Sequence, residues 1–193
     1  MIRFISRFAI PTSIFLGFTF FGAGMAKLYV AHSYFGWIGP VWLEERLEPY
    51  QLAVYARFIA YSQVVIGYLL LTLRFRTLGA IMSVPLIINI LMVTVSLQWQ
   101  GTPFVVSVLL LMAIYLLWVD RDRLLPIIGL PSKWRGNYIM TRKGSLVWLA
   151  GLCLNLLSIK LSVFHIYAAW FVSMIGVGMS FWSLKMDRSQ ATS

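Results

Sequence analysis

Two cations stand inside apolar sequence: Lys27 in GAGMAKLYV and Arg57 in YARFIAYSQ. A cation at the centre of a bilayer costs at least about 2.5–3.5 kcal/mol on insertion scales, so such residues normally face a bundle interior and have a partner. Glu44, Glu45 and Glu48 lie upstream of Arg57 and are its natural partners. A Lys27–Arg57–glutamate cluster would serve as a structural clamp or as an anion-binding pocket. For Lys27 the plainer alternative is that its long side chain snorkels to the interface. Gln63 follows Arg57 by six residues, and Arg57, Ala60, Gln63 and Gly67 share about a third of a helix circumference at 3.6 residues per turn. His32 and His165 belong to separate segments and form no metal-binding spacing, so each reads as an interface histidine. No phosphate loop, dinucleotide fingerprint or Ser/His/Asp arrangement is present. The single cysteine, Cys153, excludes an internal disulfide or a dithiol relay and reads as packing.

These residues must be positioned by membrane helices. The chain has 193 residues, 60% hydrophobic and 11% charged, with a mean hydropathy of +0.83. Soluble chains carry about 25% charged residues. Apolar runs near 20 residues match a hydrocarbon core of about 30 Å, and without barrel-type alternation they are helices. We place them at Phe8–Val30, Gln51–Leu73, Leu78–Leu97, Pro103–Val119, Ser145–Leu161 and Phe164–Leu184. The first is too long, and wrongly flanked, for a cleaved leader, and reads as a retained helix. The last two are a hairpin turning near Ser162. One helix across both would be about 60 Å long and would bury Lys160 and His165.

Twelve of the sixteen Lys and Arg residues fall on one side of this threading: Arg3, Arg7, Arg74, Arg76, Arg121, Arg123, Lys133, Arg135, Arg142, Lys143, Lys185 and Arg188. Cytoplasmic segments retain such residues, so both termini are expected in the cytoplasm and the Glu44–Glu48 segment outside. The net charge of +10 is thereby a topological signal and no indication of nucleic-acid binding. The outer loop carries Trp37, Ile38 and Trp42 beside Pro40 and is expected to rest at the headgroup level. The inner loop, residues 121–144, mixes Leu124, Leu125, Ile127 and Ile128 with Arg121, Arg123, Lys133 and Arg135. It is expected to lie on anionic lipid, at about 1 kcal/mol per basic residue.

Small and polar residues recur at helical spacing within the spans. They are Met82, Pro85, Asn89, Met92 and Ser96 on the third; Gly151, Asn155, Ser158 and Ser162 on the fifth; and His165, Ala169, Ser173, Gly176 and Ser180 on the sixth. In lipid such stripes mark helix contacts, so Asn89 and Asn155 are expected to bond between helices, with a ligand role for Asn89 as the alternative. Arg7-Phe8 with Gly17-Phe18 echoes Arg57-Phe58 with Gly67-Tyr68 at equal spacing, which in oppositely directed helices would be an inverted repeat of the kind many transporters use.

The first helix ends Gly22-Ala23-Gly24-Met25-Ala26-Lys27-Leu28, and the second runs from Gln63 through Gly67 to Arg74-Phe75-Arg76-Thr77. Over roughly residues 7–120 this resembles the DoxX family of polytopic membrane proteins. The resemblance implies a compact four-helix transmembrane core, taken as 1–120; the basic interfacial loop at 121–144 and the C-terminal hairpin and tail at 145–193 lie outside it and complete an all-α membrane protein of six helices. It further implies a bacterial inner-membrane location and an accessory role in a quinone-linked oxidoreductase. Many relatives carry Glu where this chain has Gln63, so proton-coupled chemistry is not expected there. On this reading quinone is the candidate cofactor, in a pocket at the outer leaflet formed by Lys27, Arg57, Gln63, Tyr61, Glu44, Glu45 and Asn89. Expected partners are membrane lipids and another membrane or periplasmic protein or a second copy. The alternatives are a non-enzymatic scaffold that binds partners or lipid, and a small-solute transporter.

Overall fold

The computed structural model describes residues 7–36, 42–132 and 140–190. Trp37, Ile38 and Pro40 of the outer loop, Lys133 and Arg135 of the inner loop, and Arg3 lie outside these residues. Six long helices are present among them: α1 Ala9–Leu28, α2 Ala53–Leu71, α3 Arg76–Ser96, α4 Thr102–Val119, α5 Arg142–Leu161 and α6 Ile166–Gln190. All six are long and apolar enough to cross a membrane. The boundaries follow local chemistry. Thr141 caps α5 by accepting from the Gly144 N–H at 3.0 Å, which starts that helix three residues earlier than its apolar run. Pro103 sits in the first turn of α4, where its missing N–H costs nothing. Between α2 and α3 the chain reverses through Leu73 at φ +58°. The expected turn near Ser162 separates α5 from α6, and α6 continues past Leu184.

The helices form three layers, with α1 and α2 in the middle. On one side Leu16, Phe20, Ile59 and Leu70 meet Ile87 of α3 and Leu109 and Leu116 of α4. On the other, Phe21, Met25 and Tyr68 meet Trp148 and Ile159 of α5 and Ala169 of α6. The hairpin is thus packed into the bundle through its own share of the core.

The α1–α2 crossing is made possible by glycine. A Cβ on Gly17 would lie 2.3 Å from the Leu71 nitrogen, and one on Gly67 would lie 2.2 Å from the Phe21 nitrogen. The two glycines of the sequence echo therefore pack reciprocally, each against the other's helix. Outward faces stay apolar: Phe104, Leu111 and Trp118 of α4, and Tyr167, Phe171 and Met174 of α6, are exposed. Water would not tolerate so much contiguous apolar surface, whereas lipid does. The chain is a multi-pass membrane protein.

Polar contacts close the seam between the hairpin and the middle layer. Tyr68 Oη donates to the Trp148 carbonyl at 3.0 Å, and Trp148 Nε1 donates to Thr72 Oγ1 at 3.0 Å. Tyr29 Oη donates to Ser158 Oγ at 2.8 Å. Tyr34 Oη lies 3.0 Å from Ser173 Oγ, and burial pushes its phenol above the ordinary range despite that hydrogen bond, so it remains protonated. Asn155 accepts from Ser173 Oγ at 2.8 Å, the interhelical bond expected of it.

At one end of the bundle Arg74, just beyond α2, meets Asp187 near the end of α6. Arg76 pairs with Asp120 beside Thr77. Two of the basic residues counted in the topology are thus also buried or half-buried structural partners.

Candidate functional site: an apolar cavity with an inward-facing lysine

At the opposite end, between α1–α2 and α3–α4, lies a cavity of about 480 Å³. This is within the usual range for small-molecule sites. Its walls are mostly apolar: Phe20 and Ala23 of α1, Ile59 of α2, Ile87 and Ile90 of α3, and Leu109 of α4. Leu43, on the short helix Leu43–Leu47, and Trp99, on the α3–α4 connection, complete the enclosure.

Thr19, Lys27, Gln63, Thr94 and Thr102 break this wall. Lys27 does not snorkel outward as its position near the end of α1 suggests. Its Nζ turns back toward the middle of the bundle and donates to the Ala23 carbonyl at 3.1 Å and to Gln63 Oε1 at 3.0 Å. An ammonium carries only donors, so it fixes the Gln63 amide with oxygen toward Lys27 and the NH2 group available to something else. Gln63 is buried, and its NH2 makes no hydrogen bond among the described residues. Thr19 Oγ1 is buried and also unpartnered among the described residues. The free Gln63 NH2 on this mostly apolar wall marks a place where a ligand oxygen would be welcome.

The structure divides the expected site. Lys27 and Gln63 come together, but Arg57, Tyr61, Glu44, Glu45 and Asn89 do not line the cavity. Arg57 is exposed and pairs with Glu44, its Nη2 2.6 Å from Oε1. Glu45 pairs with His32 Nε2 at 3.2 Å. The proposed three-part cluster is therefore two surface pairs plus one lysine held by an amide. Tyr61 is exposed on the outer face of α2. Asn89 does not bond between helices; it is exposed and donates to the Pro85 carbonyl of its own helix at 3.0 Å. The whole α3 stripe of Met82, Pro85, Asn89, Met92 and Ser96 faces outward. His165 is exposed just before α6, apart from the buried stripe Ala169, Ser173 and Ser180.

Sequence reasoning missed Thr19 and Trp99. Thr19, Ala23 and Lys27 are spaced by four and so share one face of α1, a signal that would have found Thr19. Trp99 had no such signal, since its place depends on how the α3–α4 connection folds over the cavity.

The chain is 30% identical over 131 residues to the uncharacterized protein YwoB of Bacillus subtilis (strain 168), an alignment that takes in 63% of this chain and 83% of that protein. The chain belongs to the YwoB family. No family model matches it, and no solved structure matches it. YwoB is itself uncharacterized, so kinship adds no substrate and the chemistry of the cavity must be argued from its own residues.

Proposed function

We propose that this chain is a membrane protein that binds, in the cavity between α1–α2 and α3–α4, the oxygen-bearing head of a molecule dissolved in the bilayer. One observation carries the reading: Lys27 and the unpartnered Gln63 NH2 stand together on a mostly apolar wall. Donors of this kind hold acceptor oxygens, while Ile87, Ile90 and Leu109 accept a hydrocarbon body. With the basic end of the bundle cytoplasmic, as the charge distribution argues, the cavity lies toward the outer leaflet. The DoxX resemblance makes a quinone the natural candidate and a membrane redox complex the setting, with this chain as an accessory subunit. Quinone carbonyls would accept from the Lys27 ammonium and the Gln63 amide.

A native mass spectrum of the protein extracted in mild detergent, with organic extraction of what it carries, tests this. A bound apolar molecule is expected with the unaltered chain and is expected to be lost from Ile90→Trp, which fills the cavity. Should the unaltered chain carry none, and take up none when offered membrane extract, the reading is wrong. A second reading, a scaffold for other helices, is favoured by the outward amide of Asn89 on α3. The same spectrum would then show a protein partner or a second copy and no small molecule.

A further inference from the structure

Lys27 brings a positive charge to the cavity that no carboxylate among the described residues meets. Its two partners, the Ala23 carbonyl and Gln63 Oε1, are neutral. The nearest acidic residues in sequence are engaged elsewhere, Glu44 with Arg57 and Glu45 with His32. No acidic residue lines the cavity. Burying an uncompensated ammonium is costly, and removing a charge from water is repaid only by an opposite charge in good geometry. Lys27 could have kept its charge in water by extending outward, yet it is bonded inward.

Resting on the cavity reading above, we infer that the bound head is an anion, and specifically the carboxylate of a single-chain fatty acid. A carboxylate has two oxygens and accepts only, which matches the ammonium and the Gln63 NH2. Hydrogen bonds between ionised partners are about twice as strong as neutral ones. A neutral quinone would satisfy the donors and leave the charge unmet. The aliphatic chain then lies along Ile87, Ile90, Val93 and Leu109.

A recess beside the cavity carries the same charge. A second recess of about 390 Å³ shares Trp99 and Thr102 with it and adds Trp42, Arg46, Gln98 and Gln100. Arg46 pairs with no carboxylate among the described residues. A cation in the adjoining recess and another in the cavity both favour an anion.

Binding of dodecanoate and of dodecanol, its uncharged analogue, to the detergent-extracted full chain separates the possibilities. The unaltered protein is expected to prefer dodecanoate by about tenfold or more, the worth of one charge-assisted hydrogen bond. In Lys27→Gln that preference should fall toward unity with dodecanol binding retained, and Lys27→Arg should keep it. Ile90→Trp should lose both ligands. Equal binding of the two by the unaltered chain would overturn the anion and leave the cavity reading standing. Failure of both to bind would overturn the fatty-acid ligand, while the cavity reading stands or falls with the mass spectrum of the extracted protein.

Discussion

Removal of the Asp187 carboxylate should be among the most damaging single changes in this protein, although the residue lies near the end of the chain. Asp187 Oδ1 accepts from the Thr141 N–H at 3.1 Å, from Thr141 Oγ1 at 2.8 Å and from Arg74 Nη2 at 3.3 Å, while Oδ2 lies 2.5 Å from Arg74 Nη1. The Arg74 side chain is 0% exposed and that of Asp187 is 3% exposed. Asp187→Ala leaves the guanidinium with Ser183 Oγ at 3.3 Å and Ser145 Oγ at 3.1 Å, both neutral. Breaking a buried pair from one side costs about 3–5 kcal/mol, because a buried charge loses its compensation. Replacing both partners by apolar residues of similar size is often near neutral, so Arg74→Met with Asp187→Leu should recover most of the loss. The assay is the SDS fraction at the midpoint of unfolding, followed by helical circular dichroism of the detergent-solubilised chain. A loss below about 1 kcal/mol in Asp187→Ala, or a double variant as damaged as the sum of its singles, would refute the assignment of this pair as a lock between α2 and α6.

Two further outcomes follow from the packing. Gly67→Ala places a Cβ against the backbone of Phe21 and should destabilise by at least about 1–3 kcal/mol, whereas Gly178→Ala, with open space around it, should not; equal midpoints for the two would contradict the α1–α2 crossing. Asn155→Leu should lower stability by up to about 2 kcal/mol through loss of the Ser173 bond, while Asn89→Leu should leave it within about 0.5 kcal/mol, and the reverse order in the same SDS titration would place the two amides wrongly.

The number and order of the spans were legible because hydrophobic length is a local property: α1 to α4 fall within three residues of the runs read from composition alone. Part of the candidate site was legible for a similar reason. Lys27 announced itself by the cost of a cation in hydrocarbon, and Gln63 by an amide on the same sector as Gly67. The rest was not, since periodicity names a face without naming what lies against it. Asn89 and Asn155 have equivalent stripes in sequence, yet one faces out and the other is buried at a helix seam. Glu44 is one of the partners expected of Arg57, but the pair lies on the surface and not in the bundle interior.

Sequence by itself determined that this is a helical membrane protein with its cationic residues gathered toward one set of connections, because insertion acts on the hydrophobicity and charge of each segment in turn. Only the tertiary structure decided that the hairpin shares the core, that Arg74 and Asp187 meet across 113 residues, and that Lys27 points inward to Gln63. Those outcomes depend on which helices lie side by side, and that choice is made by close approach at glycines and by pairing of buried polar groups far apart in the chain.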